Sequence, residues 1–259
     1  MRLALLQFAR KEELDENLRH AVELLSSVKD VDLVVLPENW ASKRILSHDE
    51  HHTIVEELGK LAKARGYVVV AGAHYVSGPS EALSLGVALT PSGEAYEYDK
   101  HYPSSAIGER SFIRAGWRTT VFNVGGVKVG VVVCVDLMYP EVVRRLTLRG
   151  ADVILNPSSI PADRISLWRA VGRARAAENT VFVASVNNTM TYYPDGRRVA
   201  GGSFVASPEG ELILDAGVEE GVYVADLDLS HVLKVRSRWS FLEDVKRSVD
   251  KIRREYYRG

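Results

Sequence analysis

Three residues able to attack, protonate or polarise a substrate stand where strand-like runs stop. Glu38 follows Val34-Val35-Leu36-Pro37, Lys100 follows Ala95-Tyr96-Glu97-Tyr98-Asp99, and Cys134 follows Val131-Val132-Val133. Open α/β sheets bind ligands beyond the carboxyl ends of their strands, so a carboxylate, an amine and a thiol at three such ends can converge on one cleft. Cys134 is the single cysteine of the chain, and by itself a cysteine in a valine run also reads as a small buried hydrophobe. The residues after it favour chemistry. Val135-Asp136-Leu137-Met138-Tyr139-Pro140-Glu141 reads as a tight turn into a helix, with Pro140 near the first helical position. Strand, nucleophile and helix in that order have the geometry of a nucleophile elbow, and a helix amino terminus with a lysine nearby favours the thiolate. Cysteine nucleophiles usually work with histidine, yet His101, beside Lys100, is the one histidine near these strand ends. His48, His51 and His52 cluster in Ser47-His48-Asp49-Glu50-His51-His52. Their spacing could serve a metal, but without the His-Glu-x-x-His order or an obvious third ligand they read as the polar start of a helix.

The elements that must position these residues repeat one plan. The first copy opens with a strand over Leu3–Phe8 and a helix over about Glu12–Ser27, whose Leu14, Leu18, Val22 and Leu25 share one face. A buried strand Val31–Pro37, a helix Thr53–Ala64, and strands Tyr67–Gly72 and Leu83–Leu89 follow, ending at the turn Thr90-Pro91-Ser92-Gly93. The second copy runs from Val127–Val133 through a helix Pro140–Arg149, a strand Ala151–Pro157, a helix Ile165–Glu178, and strands Val181–Val186 and Ser203–Ala206, to the turn Ser207-Pro208-Glu209-Gly210. The matched prolines, 37 with 157 and 91 with 208, stand 120 and 117 residues apart. That near-constant offset implies an internal duplication. Two βα halves packed sheet against sheet give a four-layer αββα sandwich; a single doubly wound sheet could use the same elements. From about Val232 the chain becomes basic and helix-like, either a solvated helix or an arm for a partner subunit, with the tyrosines near Tyr256 and Tyr257 favouring the arm.

Composition bounds the functions available. The chain has 259 residues, 46% hydrophobic and 26% charged, an ordinary globular balance that rules out disorder and collagen-like structure. One cysteine cannot close an intrachain disulfide, and a core of this size needs none. Lys plus Arg number 33 against 34 Asp plus Glu, so no global positive field recruits nucleic acid or an anionic membrane. The apolar start Met1–Phe8 is too short for a signal peptide, and no apolar run reaches the roughly 18–20 residues of a membrane span. The expectation is a cytoplasmic protein. Frequent arginine and a single glutamine, Gln7, suggest a thermophilic source.

The chain resembles the nitrilase superfamily of carbon–nitrogen hydrolases. The resemblance rests on Leu36-Pro37-Glu38-Asn39, Tyr98-Asp99-Lys100-His101-Tyr102 and Cys134-Val135-Asp136-Leu137-Met138-Tyr139-Pro140-Glu141. Trp168 with Arg173–Asn179, and Gly202–Gly210, support it in family order. It covers about residues 1–228, and implies one hydrolase domain over 1–259: a core to about 228, a carboxyl-terminal arm over 229–259, and dimerisation into an αββααββα sandwich. It also implies a triad of Glu38, Lys100 and Cys134, with Glu109 as an accompanying carboxylate, and no metal or organic cofactor. In the implied chemistry Glu38 accepts the thiol proton and Cys134 attacks the carbon of a C–N bond. Lys100 and the Val135 backbone N–H face the oxyanion, and a thioester is then hydrolysed. Three positions depart from the family pattern: Val135 replaces an aromatic residue, Met138 an arginine, and Ala115-Gly116 a proline-glycine. They leave the triad intact and bear on pocket shape, for which Trp40, Tyr102 and Ser159 are the candidate filling residues. An amidase for a small or medium aliphatic amide or carbamoyl amine is favoured over a true nitrilase, and both over a catalytically idle binding or scaffold subunit. The expected partners are the small-molecule amide or nitrile and a second copy of the chain.

Overall fold

Strand runs separated by amphipathic helices have to bury two apolar faces per sheet, and in a computed structural model of the chain they do so as two six-stranded sheets. The structure describes residues 1–256, and the side chains of 1–248. The first half supplies β1 (Arg2–Gln7), α1 (Leu14–Ser27), β2 (Leu33–Val35), α2 (His48–Arg65), β3 (Val68–Val76), β4 (Leu83–Leu89) and β5 (Ala95–Asp99). The second supplies β6 (Val121–Val124), β7 (Val127–Val131), α3 (Pro140–Leu148), β8 (Val153–Ser158), α4 (Ile165–Asn179), β9 (Phe182–Asn187), the small hairpin β10 (Thr191–Tyr192) and β11 (Arg198–Val199), β12 (Phe204–Ala206) and β13 (Leu212–Asp215). Then come β14 (Gly221–Asp226), α5 (Leu229–Arg238) and α6 (Phe241–Tyr256).

Strand order makes the duplication explicit. One sheet runs β14-β1-β2-β3-β4-β5, the other β6-β7-β8-β9-β12-β13. In each, three parallel strands sit in the middle, with Leu3 opposite Leu33 and Leu33 opposite Val68 in the first, and Val129 opposite Val153 and Val153 opposite Phe182 in the second. Each is flanked by antiparallel strands. The edge strands β6 and β14 escape a pattern search because they are only partly buried.

Side-chain alternation sets the layers. On β1, Leu3 and Leu5 join the core between the sheets, with Val129, Val153 and Leu155 of the other half. Ala4 and Leu6 turn the other way, onto Ala21 and Leu25 of α1 and Leu58 of α2. On the far side Val142 and Leu146 of α3 and Ala176 of α4 cover the second sheet. The result is the expected αββα sandwich rather than a single doubly wound sheet. The histidine cluster begins α2: Ser47 accepts from the Glu50 N–H at 3.1 Å while the Glu50 carboxylate accepts from Ser47 N–H at 2.8 Å, a capping box that starts the helix at His48, earlier than Thr53. The basic carboxyl-terminal stretch is helical as α5 and α6, while Tyr257 and the side chain of Tyr256 lie outside the described residues.

Candidate active site

Glu38 lies just past β2, where Leu36-Pro37 ends the strand. Asn39 has φ +50 and reverses the chain. The turn presses so close to β3 that a Cβ on Gly72 would sit 1.9 Å from the Pro37 carbonyl oxygen, so only glycine fits there. The second half of the molecule holds the Glu38 main chain: its N–H donates to Ser158 O at 3.2 Å, and Asn188 Nδ2 donates to Glu38 O at 2.7 Å.

Lys100 follows β5, and its N–H bonds Ser84 O at 2.9 Å. Gly116 N–H returns to Lys100 O at 2.8 Å, and a Cβ on Gly116 would lie 2.3 Å from Asp99 Oδ1. The glycine of the Ala115-Gly116 pair is therefore required by packing although the proline is absent. The side chain is fully buried, and its Nζ donates at 2.8 Å to Glu38 Oε1 and at 2.8 Å to Glu109 Oε1. Glu109, on a short 3-10 turn, also accepts from Tyr75 OH at 2.5 Å and Ser104 N–H at 2.5 Å.

Cys134 opens a 3-10 turn over Cys134–Met138 with φ +47, a left-handed conformation that a non-glycine residue adopts at a cost of ~1–3 kcal/mol. The turn is over-determined by its neighbours. Asn156 Nδ2 on β8 donates to Val132 O at 3.0 Å and Cys134 O at 3.1 Å. The Asn156 side-chain oxygen is in turn held by Ser158 and Ser185. Asp136 accepts from His101 N–H at 3.0 Å and Tyr102 N–H at 2.9 Å, tying the lysine loop to the cysteine turn. Val135 follows Cys134 in the first turn, where its N–H has no partner inside the short helix. The thiol contacts Ser159 O at 3.8 Å.

Electrostatics follow from burial. Desolvation raises the Glu38 carboxyl, opposed by Lys100 and reinforced by Glu109, while hydrogen bonds from Lys100 and the Cys134 thiol draw it down again. Desolvation alone would lower Lys100, but the charges of Glu38 and Glu109 outweigh it and hold the ammonium well above its ordinary range. Burial, then the charge of Glu38, pushes the Cys134 thiol far up. The resting state this describes is a thiol, not a thiolate, beside a carboxylate with raised proton affinity and a fixed cation. Such a set can transfer the thiol proton to the carboxylate at the moment of attack and meet the developing negative charge with an ammonium.

A cavity of about 190 Å³ opens over Glu38 and Ser159. It is smaller than the ~300–1,000 Å³ of pockets for drug-sized ligands. Cys134 sits behind it, touching the two lining residues Glu38 and Ser159 rather than forming the wall. Of the three expected filling residues only Ser159 lines it. Trp40 does not: the turn at Asn39 sends it to the helix side of β3, where its Nε1 donates to Ala71 O at 2.7 Å and its ring packs on Phe8 and His74. Tyr102 does not either; it stacks on Tyr139 with centroids 3.8 Å apart. Both pocket expectations are corrected on these grounds. Tyr75 and Tyr193 take that place, Tyr193 donating its hydroxyl to Ser159 O. Sequence reading missed Arg10, Tyr75 and Tyr193. Arg10 and Tyr75 lie at the ends of β1 and β3, where the rule that found Glu38 applies equally; Tyr193 is in an irregular connection with no periodic signal. His101 stays out of the site, its Nε2 on Arg118 O at 2.9 Å.

Two stacked α/β sheets with a buried Glu-Lys-Cys set at their carboxyl ends are the mark of one enzyme class, and the chain belongs to the carbon-nitrogen hydrolase family, whose model matches residues 2–237. Among curated relatives it is similar to a 2-oxoglutaramate amidase of Bacillus subtilis, 30% identical over 228 residues, covering 85% of this chain and 87% of that protein. It is likewise 30% identical to an (R)-stereoselective amidase of a Pseudomonas species, over 94% of this chain and 91% of that protein. Among solved structures it superposes on an amidase of the nitrilase superfamily from Nesterenkonia with a TM-score of 0.79, at 26% identity, over 92% of this chain and 95% of that one.

Proposed function

We propose that this protein is an amidase that hydrolyses a small or medium aliphatic amide or carbamoyl amine through a thioester on Cys134. The observation that carries the reading is the Lys100 ammonium shared between two buried carboxylates, 2.8 Å from each, beside the thiol. The amidase names of the relatives support it. Glu38 takes the Cys134 proton as the sulfur bonds to the amide carbon; the C–O π pair moves to oxygen, where Lys100 and the Val135 N–H meet it. Glu38 returns that proton to the nitrogen as the C–N bond breaks, releasing ammonia or amine and leaving an acyl thioester. Water then gives a proton to Glu38 and its oxygen to the acyl carbon, and the carboxylic acid departs as the thiol is restored. Glu109 orients Lys100. The substrate is small because the cavity is.

We further propose a single domain with its core over about 1–228 and an arm over 229–259, working as a homodimer of αββααββα form. Exposed Leu233 on α5 and the stacked pair Trp239 and Phe241 support a partner surface there. A free catalytic thiol suits the reducing cytoplasm. The test is ammonia release from a panel of short amides and the matching nitriles, with Cys134→Ala in parallel. Amide turnover that Cys134→Ala abolishes is expected. Release from nitriles alone, or turnover that persists in Cys134→Ala, would overturn the reading.

A further inference from the structure

Arg10 is 7% exposed and lines the cavity that opens over Glu38 and Ser159, together with Tyr75, Tyr193 and Lys43. A guanidinium has five N–H donors and is never deprotonated in a protein. Here one hydrogen bond is made, NH1 to the Asn39 carbonyl at 2.9 Å, and the buried Nε has no partner. Among the described residues no carboxylate lies within 4.0 Å of Arg10; Glu38, the acid in the cavity wall, is committed to Lys100. Burying a cation without its anion is costly, and burial draws the Arg10 pKa down, with Tyr193, Tyr75 and Glu38 opposing. Lys43, whose side chain is one-third exposed and reaches Glu12 at 3.4 Å, adds a second positive charge to the wall. Two further polar atoms of the same wall, Asn39 Oδ1 and Ser159 Oγ, are also buried without partners. The wall is thus unsatisfied on the protein side and positively charged, beside a thiol that attacks amides.

We propose that Arg10, aided by Lys43, binds a carboxylate of the substrate, making the preferred substrate a short amide that bears a free carboxylate at its other end: a monoamide of a dicarboxylic acid. This rests on the amidase reading. A carboxylate in the wall pairs with Arg10 through two parallel N–H···O bonds, the arrangement guanidinium geometry favours, and fixes the distal end so that the amide carbon faces Cys134. Neutral amides of equal length lack that anchor.

The test compares kcat/KM for the monoamides of succinate, glutarate and adipate with their methyl esters, which keep the amide and lose the charge. The native enzyme is expected to favour the anionic member of the best pair by roughly ten- to a hundredfold, the worth of a hydrogen bond to a charged group. Arg10→Gln should collapse that ratio toward one, and Arg10→Lys should restore part of it. A residue that acted only by holding the Asn39 turn would lower both substrates alike and leave the ratio intact, which would overturn the proposal. Protection of Cys134 from iodoacetamide gives a second measurement on the native protein, without turnover or variants. Glutarate should protect at lower concentration than glutaramide, its neutral diamide; equal or better protection by the diamide would overturn the proposal. Protection by glutarate with no amide turned over would sink the amidase reading and leave the anion subsite standing.

Discussion

Asp136→Asn perturbs the link between the lysine loop and the cysteine turn without changing shape. The carboxylate is fully buried and accepts the His101 and Tyr102 N–H groups at 3.0 and 2.9 Å, one on each oxygen. An asparagine offers one acceptor, so one of these N–H groups must face an NH₂. Losing a bond to a charged acceptor costs ~1.5–3 kcal/mol, and leaving a buried N–H unpaired costs ~1–3 more. Against this, burial holds the Asp136 carboxyl up at about 6, which opposes the ion by ~3 kcal/mol at 1.36 per unit, and the neutral amide escapes that. The net loss expected above pH 7 is about 0–3 kcal/mol in urea unfolding. The folded carboxyl binds more protons than the unfolded one between about pH 4 and 6, so the contribution of Asp136 to stability falls as pH rises through that window, a component the variant lacks. The gap between the two should therefore narrow from pH 4 to 6. Because His101 N–H follows Lys100 directly, a shift of about 1 Å in the lysine should lower kcat/KM by roughly 10²-fold. Stability within 0.5 kcal/mol of wild type together with unchanged kcat/KM, by ~0.5 kcal/mol the ordinary scatter of surface substitutions, would refute the coupling.

Lys100→Met leaves Glu38 and Glu109 facing each other in burial; unfolding free energy should drop by about 3–5 kcal/mol and kcat by at least roughly 10²-fold, and steady-state assays on folded variant check it. Since Glu38 must be ionised to take the thiol proton and burial raises its carboxyl, kcat/KM should fall as pH drops through a value above the usual carboxylate ~4.3; an acid limb at an ordinary glutamate value contradicts this. His74, buried neutral between Trp40 and His51, is drawn down to about 3 by burial. The unfolded chain binds that proton from about 6.5 downward, so wild-type stability should decline by up to ~1.4 kcal/mol per unit below pH 6.5 from this group alone. His74→Gln should lack that component, with urea melts at pH 7 and 5 showing the gap between the two shrink in acid.

Much of the architecture is legible in the chain because burial imposes period: Leu3, Leu5, Ala4 and Leu6 alternate between two cores, and the matched prolines mark equivalent strand ends. The triad positions are legible for the same reason, as reactive residues where apolar runs stop. Pocket residues are not, because their direction depends on single backbone torsions: φ +50 at Asn39 turns Trp40 into the core, and no composition reports it. Tyr102 reads as a pocket aromatic by proximity to Lys100, but Asp136 takes its N–H and Tyr139 its ring. The wall that replaces them draws Arg10, Tyr75 and Tyr193 from three segments far apart in sequence.

The proposed chemistry requires that Cys134 carry the acyl group. Intact-mass spectrometry of the enzyme acid-quenched during turnover of a short amide tests it directly. A population heavier by the acyl group less one hydrogen is expected, mapped to the peptide containing Cys134 and missing in Cys134→Ala. Sustained ammonia release with no such adduct, and with Cys134→Ala equally active, would contradict it.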